Sequence, residues 1–382
     1  MKIGFISSKQ DNSILYLSGA PFYMEKALEK YCGQVFFLQP SKTLKVTAFF
    51  HRVINKSSRT ITGKRFATGH SLLTAYCAGR HFSKKIHKLN IDIIFATRAS
   101  TQIALIKKKV PIIYTTDATF KSMENYYDNW TNLNKISVIS GNFIEQRAIS
   151  NSDRIFCPSA WAANSVIEDY KTQRNKVSII QSGANFDDSD ISATEQIFIE
   201  KDLSRCRLLF IGVDWQRKGG EIAFDTLNHL LAANIPAQLT IVGCEPPKKF
   251  LHEKVTVIKK LRKSIAEEKK KLITLYKQSN FFLLPARAEA SGLVFSEAAA
   301  FGLPVITTDT GGITSIVRQG INGYTLSPSA TAISYAKLIE KIFNDPTQYK
   351  NLARAARQEY NETLNWDTWA SKVKLLMDSI SS

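Results

Sequence analysis

Short apolar segments alternate with segments of helical periodicity along the whole chain, and this alternation is the strongest constraint on the fold. MKIGFIS, QVFFLQ and IDIIFAT have the composition of buried strands, and a helical pattern lies between each one and the next. The rhythm starts again at RCRLLFIG in the second half. Because parallel strands need a crossover connection that is usually a helix, the alternation predicts parallel βαβ units. The chain is therefore predicted to be an α/β protein.

The length of the chain indicates two such domains. It has 382 residues, more than the roughly 250–300 at which a single core usually stops growing. Residues 188–200 are polar and acid-rich, so they are predicted to be a linker between residues 1–187 and residues 201–361. Residues 362–382 are predicted to end in an amphipathic helix. We expect two doubly wound, Rossmann-like domains.

The net charge is strongly positive and favours anionic partners. Lys and Arg number 51 against 33 Asp and Glu, a formal charge of +18. Residues 31–110 hold 15 basic residues and one acid, Asp92. Such a field attracts nucleic acid, an acidic membrane surface or a phosphorylated substrate, although solvated surface lysines would give the same composition. Residues 41–65 mix bases with apolar side chains, a composition typical of an interfacial segment. No nucleic-acid reader module is recognisable, so we expect no nucleic-acid partner.

Other composition features indicate the compartment. No apolar run reaches the roughly 20 residues that a membrane span needs. The apolar stretch at the N-terminus is too short for a signal peptide. Five cysteines without close pairs argue against disulfides or a zinc site. We therefore expect a cytoplasmic protein, and the basic charge allows peripheral contact with the anionic inner face of the membrane.

Ligands of doubly wound sheets bind at the carboxyl ends of the strands, where loops meet helix N-termini. The loop around Gly19 precedes the first helix and suits a close backbone approach to phosphate, although an ordinary turn would look the same. The loop after Gly212 carries Arg217 and Lys218 directly before Gly219-Gly220 and a helix. Two cations at a helix N-terminus predict an anion site.

Two carboxylates flank a second glycine turn. Glu289 and Glu297 are separated by seven residues, and Ser291-Gly292 opens a helix between them. The amides of residues 292–294 point at any anion bound there. Two carboxylates around an amide site suit a molecule with hydroxyls at both ends and phosphate in the middle, which describes a nucleotide sugar. A further strand–Gly-Gly turn at residues 307–315 adds amides beside this predicted site.

These motifs together resemble the family 4 retaining glycosyltransferases. The Glu-x7-Glu segment, the Lys-Gly-Gly turn and Asp-Thr-Gly-Gly carry the resemblance across the second half. In the first half, ILYLSGAPFYMEKAL and PIIYTTDATF resemble loops of bacterial members that build surface polysaccharides. The resemblance implies a B-type fold, in which two Rossmann-like domains face a cleft and the C-terminal helix crosses back to the first domain. The first domain would bind the acceptor and the second the nucleotide sugar, without a bound metal or other cofactor.

The resemblance also implies roles for single residues. Glu297 should bind ribose hydroxyls, Glu289 the donor sugar, and Lys218 the diphosphate. Val213 stands where many members have an arginine, so Arg217 is expected to take that role. Asp117 stands near the place of an acceptor-side histidine, whereas Thr314 and Ser315 replace a frequent glutamate. The predicted catalytic residues are Arg217, Lys218, Glu289 and Asp117; the predicted donor-binding residues are Gly19, Gly212, Glu289, Ser291, Gly292, Leu293, Val294, Glu297, Gly311 and Gly312.

The predicted activity is transfer of a hexose with retention of configuration. UDP-glucose is the expected donor, and a lipid-linked or polysaccharide precursor in exopolysaccharide biosynthesis is the expected acceptor. A non-catalytic nucleotide-sugar-binding protein and a protein that binds anionic surfaces or nucleic acid are the alternatives. Asp188-Ser189-Asp190 has the spacing of a metal-binding triplet, but it falls in the predicted linker, so no metal ligand is expected.

Overall fold

The computed structural model describes residues 1–8, 19–40, 53–67, 69–107, 109–192 and 201–381. It divides into two compact units. The first consists mainly of residues up to Ile180 together with the chain beyond Trp369, and the second mainly of Gln181–Trp369. Each unit has a hydrophobic core of its own.

The first unit is built on a parallel six-stranded sheet. Its strand order is β2-β1-β3-β4-β5-β6. The strands are β1 Lys2–Ser7, β2 Gln34–Phe37, β3 Ile93–Thr97, β4 Ile112–Thr115, β5 Arg154–Cys157 and β6 Val177–Ile179. Every residue of β3 and β4 is buried, as expected for strands that helices cover on both faces. Strand β1 pairs with β2 on one side and with β3 on the other, so the order in which successive strands are added reverses at β1.

Several helices of the first unit begin after a residue whose side chain caps the helix. The helices of this unit are α1 Ala20–Tyr31, α2 Leu72–Leu89, α3 Ser100–Ile103, α4 Phe120–Met123, α5 Lys135–Asn151 and α6 Ala160–Glu168, and residues 53–62 are also helical. Ser71, Asn134 and Ser159 precede α2, α5 and α6, and each side chain accepts a hydrogen bond from a backbone N–H of the first turn. Such a bond satisfies one of the four N–H groups that a helix start leaves without a partner.

The second unit contains the sheet order of dinucleotide-binding folds. The order β12-β11-β10-β7-β8-β9 has β7 and β10 side by side at its centre, with later strands added outward on each side. The strands are β7 Cys206–Ile211, β8 Ala237–Val242, β9 Val255–Ile258, β10 Phe281–Leu284, β11 Val305–Thr308 and β12 Gly323–Leu326. All five pairings are parallel. Ligands of such sheets bind where the strand order reverses, which is between β7 and β10 here.

Seven helices are described from residue 188 onward: α7 Asp188–Ser192, α8 Gly220–Ala232, α9 Ala266–Gln278, α10 Leu293–Ala300, α11 Ala332–Phe343, α12 Pro346–Glu362 and α13 Trp366–Ser381. The alternation of strand and helix predicted from the sequence is confirmed in both units, and so is the α/β class. The last helix, α13, begins at Trp366, and its residues from Ala370 onward group with the first unit.

The predicted boundary between the two domains was misplaced. The division falls after Ile180 and not after residue 187. Residues 188–192, predicted as the start of a linker, form the short helix α7. The Lys269 ammonium on α9 holds this segment through Asp187 Oδ2 at 3.1 Å and Asp190 Oδ2 at 2.7 Å. The acidic side chains that indicated a solvated linker therefore form ion pairs within the second unit. Residues 193–200 lie outside the described residues.

Candidate functional site

The loops after β7 and β10 meet at the point where the strand order of the second sheet reverses. Gly219 shows how closely they approach, because a Cβ built on it would lie 1.8 Å from the Pro285 carbonyl oxygen. Its φ of +73° also favours glycine. The Arg287 N–H donates to the Arg217 carbonyl at 2.7 Å. The predicted Lys-Gly-Gly turn and the predicted loop that carries Glu289 are therefore in direct contact.

Two cations of the first loop converge on one carboxylate of the second. The Lys218 ammonium forms an ion pair with Glu289 Oε2. The Arg217 guanidinium lies 3.5 Å from the same oxygen and donates to the Ala288 carbonyl at 2.9 Å. Only 10% of the Lys218 side chain and 13% of the Glu289 side chain are exposed. Screening by water is weak at such depth, so the charges act strongly on whatever binds there.

Asp214 organises the turn before the two cations, and the sequence did not single it out. Its carboxylate accepts the Arg217 backbone N–H at 3.0 Å and lies 3.7 Å from Arg217 Nε. Val213, at the position where the family often has arginine, exposes 81% of its surface. Arg217 is thus the guanidinium that this loop brings to Glu289.

Glu297 lies deeper and has partners of its own. One carboxylate oxygen pairs with the Lys263 ammonium, and the other accepts a hydrogen bond from the Tyr276 hydroxyl at 3.0 Å. Only 3% of the Glu297 side chain is exposed. Burial, reinforced by the nearby carboxylate, raises the pKa of Tyr276 well above its ordinary value, so its hydroxyl stays a donor. Lys263 also lies 4.5 Å from the centre of the Phe186 ring.

The backbone between the two glutamates forms a helix start. Gly292 precedes α10 with a φ of +70°, and a Cβ there would meet the Phe295 ring at 2.5 Å. The amides of Leu293 and Val294 belong to the first turn, where N–H groups lack intrahelical acceptors. Ser291 beside them is buried. These groups offer the donors that an anionic ligand needs.

The glycine turn after β11 lies against the same loop, but one of its amides is already used. The Gly312 N–H donates to the Glu289 carbonyl oxygen at 3.1 Å, and Gly311 has a φ of +57°. Gly212, at the end of β7, lies against Lys218, since a Cβ on it would be 2.8 Å from Lys218 Cγ. The predicted residues of the second unit, from Gly212 to Gly312, are therefore brought to one edge of its sheet.

The two remaining predicted residues lie elsewhere in the chain. Asp117 follows β4 of the first unit and forms an ion pair with Arg98, whose Nε donates to Asp117 Oδ1 at 2.5 Å. Arg98 follows β3 and has a φ of +50°. Gly19 directly precedes α1 with a φ of +90°. Residues 9–18 of the first loop lie outside the described residues.

No group of three or more His, Cys, Asp or Glu residues is placed to hold a metal ion in the part of the chain that the structure describes. Asp190, part of the Asp-x-Asp triplet, pairs with Lys269 instead.

No helix within the described residues is long and apolar enough to cross a membrane.

Comparison with known proteins assigns the family. The model for glycosyl transferases group 1 matches residues 194–359, and the model for glycosyltransferase family 4 matches residues 41–188. The chain belongs to the family 4 glycosyltransferases. Together the two matched stretches cover most of this glycosyltransferase, and residues 194–359 contain the whole Lys218–Glu289–Glu297 cluster. The resemblance read from the sequence motifs is thereby confirmed.

Individual relatives are distant. Glycogen synthase of Mycobacterium tuberculosis is 26% identical over 233 residues, which are 60% of this chain and 54% of that protein. The match thus spans about half the length of this relative. An uncharacterized glycosyltransferase of Methanocaldococcus jannaschii is 25% identical over 333 residues, 83% of each chain.

A solved structure supports the fold over the full length. HepE from Anabaena in complex with UDP has a TM-score of 0.65 at 15% identity and covers 99% of this chain and 100% of its own. The same protein has also been solved with UDP-glucose. The predicted B-type architecture of two Rossmann-like domains is therefore confirmed.

Proposed function

We propose that this glycosyltransferase transfers a hexose with retention of configuration from a nucleoside diphosphate sugar, with UDP-glucose as the donor. The observation that carries the proposal is the pair of glutamates at the sheet edge between β7 and β10, each held by a lysine from another loop. Glu289 is paired with Lys218, and Glu297 with Lys263. A site with carboxylates at both ends and cations and amides between them matches the hydroxyl–phosphate–hydroxyl order of a nucleotide sugar.

Each group has a proposed part in donor binding. Glu297 accepts hydrogen bonds from the ribose hydroxyls, and Glu289 accepts them from the hexose. Lys218, Arg217 and the amides of Leu293 and Val294 bind the diphosphate. The choice of uridine follows the HepE complexes with UDP and UDP-glucose, whose fold this chain shares.

The proposed chemistry follows from where charge develops. The bond from the anomeric carbon to the diphosphate oxygen breaks, and its electron pair leaves with the diphosphate. The acceptor oxygen bonds to the same face of the anomeric carbon, and its proton passes to the leaving phosphate. Lys218 and Arg217 stabilise the growing negative charge, and preorganised charges of this kind are usually the largest catalytic contribution. Because these cations supply the positive charge, we propose that transfer needs no metal.

The acceptor is proposed to be a lipid-linked or polysaccharide precursor, as in exopolysaccharide biosynthesis. The support is the charge of the first unit, where residues 31–110 carry 15 bases and one acid. A phosphorylated lipid carrier is attracted by such a field. The enzyme would then act in the cytoplasm, in peripheral contact with the anionic inner membrane face, and Asp117 with Arg98 would lie on the acceptor-binding unit.

A donor panel tests this proposal. We expect calorimetry with UDP-, GDP- and ADP-sugars to give one tight binder, UDP-glucose, with an affinity that EDTA does not change. Slow hydrolysis of that donor would distinguish an enzyme from a non-catalytic sensor. Salt-sensitive binding to DNA without binding to any nucleotide sugar would overturn the proposal.

A further inference from the structure

Helix α5 (Lys135–Asn151) is apolar on two opposite faces. One face contributes Ile144 and Ala148 to the core of the first unit. The opposite stripe consists of Ile136, Ile139 and Phe143, which are spaced three and four residues apart and share one side of the helix. Ile136 and Ile139 are each 71% exposed, and Phe143 is 49% exposed. Large apolar side chains clustered in this way mark an interaction surface.

Two neighbouring elements extend this stripe. The start of α2 exposes Leu72, Leu73 and Tyr76, and the helical residues 53–62 expose further aliphatic side chains. We call these residues together the apolar face: Val53, Ile54, Ile61, Leu72, Leu73, Tyr76, Ile136, Ile139 and Phe143.

Hydrogen bonds tie the three elements together. The Ser140 hydroxyl on α5 donates to the carbonyl of His70, which lies just before α2, at 3.3 Å. The Asn134 side-chain amide before α5 donates to Ser58 Oγ in the helical residues 53–62, also at 3.3 Å. Both α2 and the helical residues 53–62 therefore adjoin α5 within the first unit.

Exposed basic side chains lie on the same three elements as the apolar face. Exposed cations on the same three elements are Lys56, Arg59, Arg80, Lys84, Lys135 and Arg147. Residues 53–67 and 72–89 contain no Asp or Glu at all, and the acid of α5, Glu145, is buried. Asp128 is an exposed acid beside this region, and its backbone carbonyl accepts a hydrogen bond from the Arg65 guanidinium. Exposed aliphatic and aromatic side chains bordered by Lys and Arg are the combination that binds anionic lipid surfaces.

We propose that the apolar face docks on an anionic lipid bilayer, with its aliphatic side chains in the headgroup region and its cations on lipid phosphates. Charge complementarity favours a bilayer over a second copy of the chain, because two copies would bring the same cations together. The purpose of docking rests on the proposed lipid-linked acceptor, whereas the binding itself does not require that function. The segment 41–65, predicted from the sequence as interfacial, overlaps the face at residues 53–65, and residues 41–52 lie outside the described residues.

Vesicle flotation tests the docking surface. Wild-type protein is expected to float with vesicles containing phosphatidylglycerol and not with pure phosphatidylcholine vesicles, and added salt should weaken the binding. The triple variant Leu73→Asn, Ile136→Asn and Ile139→Asn should lower the partition coefficient at least about ten-fold, since binding scales with buried apolar area. Arg80→Gln and Lys84→Gln should each lower it about five-fold. A matched control, Leu251→Asn with Ile333→Asn, removes exposed side chains of the second unit and should leave it unchanged.

Other readouts separate this inference from the donor chemistry. The triple variant should keep the wild-type melting temperature and UDP affinity, because its side chains are exposed and lie outside the donor site. Vesicle binding without turnover of UDP-glucose would count against the proposed function alone. Equal flotation of the triple variant and the wild type would overturn the docking surface. So would a wild-type dimer that the triple variant dissociates while neither protein binds vesicles.

Discussion

Lys218→Ala is expected to lower the turnover of UDP-glucose by about 100–1,000-fold, the usual loss when one preorganised charge donor is removed. The Lys218 side chain is nearly buried, with its aliphatic stem against Gly212 and its ammonium paired with Glu289, so water cannot replace it effectively. Because the charge matters most as the diphosphate leaves, the donor affinity should fall far less than the rate. Steady-state kinetics together with calorimetry would separate the two effects.

Lys249→Ala is the matched control for this variant. Lys249 pairs with Glu221 at 3.6 Å on the surface of the same unit, and its side chain is exposed. It should keep wild-type turnover, because exposed ion pairs contribute little. Lys218→Ala with a rate within a few-fold of wild type would contradict the role assigned to this lysine.

Glu297→Ala is expected to abolish measurable nucleotide binding. It should also lower the free energy of unfolding by about 3 kcal/mol, because removing one partner of a buried ion pair leaves the charge of the other uncompensated. The Lys263 ammonium and the Tyr276 hydroxyl would both lose their acceptor. Calorimetry and urea unfolding measure the two effects. Glu221→Ala, which removes an exposed carboxylate, should change the unfolding free energy by less than about 0.5 kcal/mol.

A double variant separates binding from stability. Glu297→Gln with Lys263→Met removes both charges together, and replacing a buried pair by uncharged residues is often close to neutral. We expect this variant to recover most of the lost unfolding free energy but not the nucleotide affinity. If the affinity returned with the stability, Glu297 would be a structural residue and its assignment to the ribose would be wrong.

The local motifs of the site could be predicted from the sequence, but its long-range pairs could not. The Lys-Gly-Gly turn and Glu289 each follow a recognisable strand, and parallel strands place their carboxyl ends at one edge. Lys263 and Tyr276 reach Glu297 from other elements, and neither stands in a motif that announces such a partner. The interpretation of Asp190 as part of a solvated linker fails for a similar reason, because Lys269, which pairs with it, is distant in the sequence.

The exposed stripe on α5 also escaped prediction. Periodicity identifies the buried face of a helix by contrast with a polar opposite face. Ile136, Ile139 and Phe143 remove that contrast, so the pattern alone could not say which apolar face enters the core. Only the packing of Ile144 and Ala148 against the sheet settles this point.

One NMR measurement tests most directly whether the site with Lys218, Glu289 and Glu297 transfers glucose from UDP-glucose with retention. UDP-glucose is incubated with the wild-type protein in EDTA, and the anomeric proton of the sugar is followed before mutarotation. We expect UDP and α-glucose as the first products of slow hydrolysis. β-Glucose appearing first would contradict retention, and an unchanged spectrum from a folded protein would contradict the proposed donor.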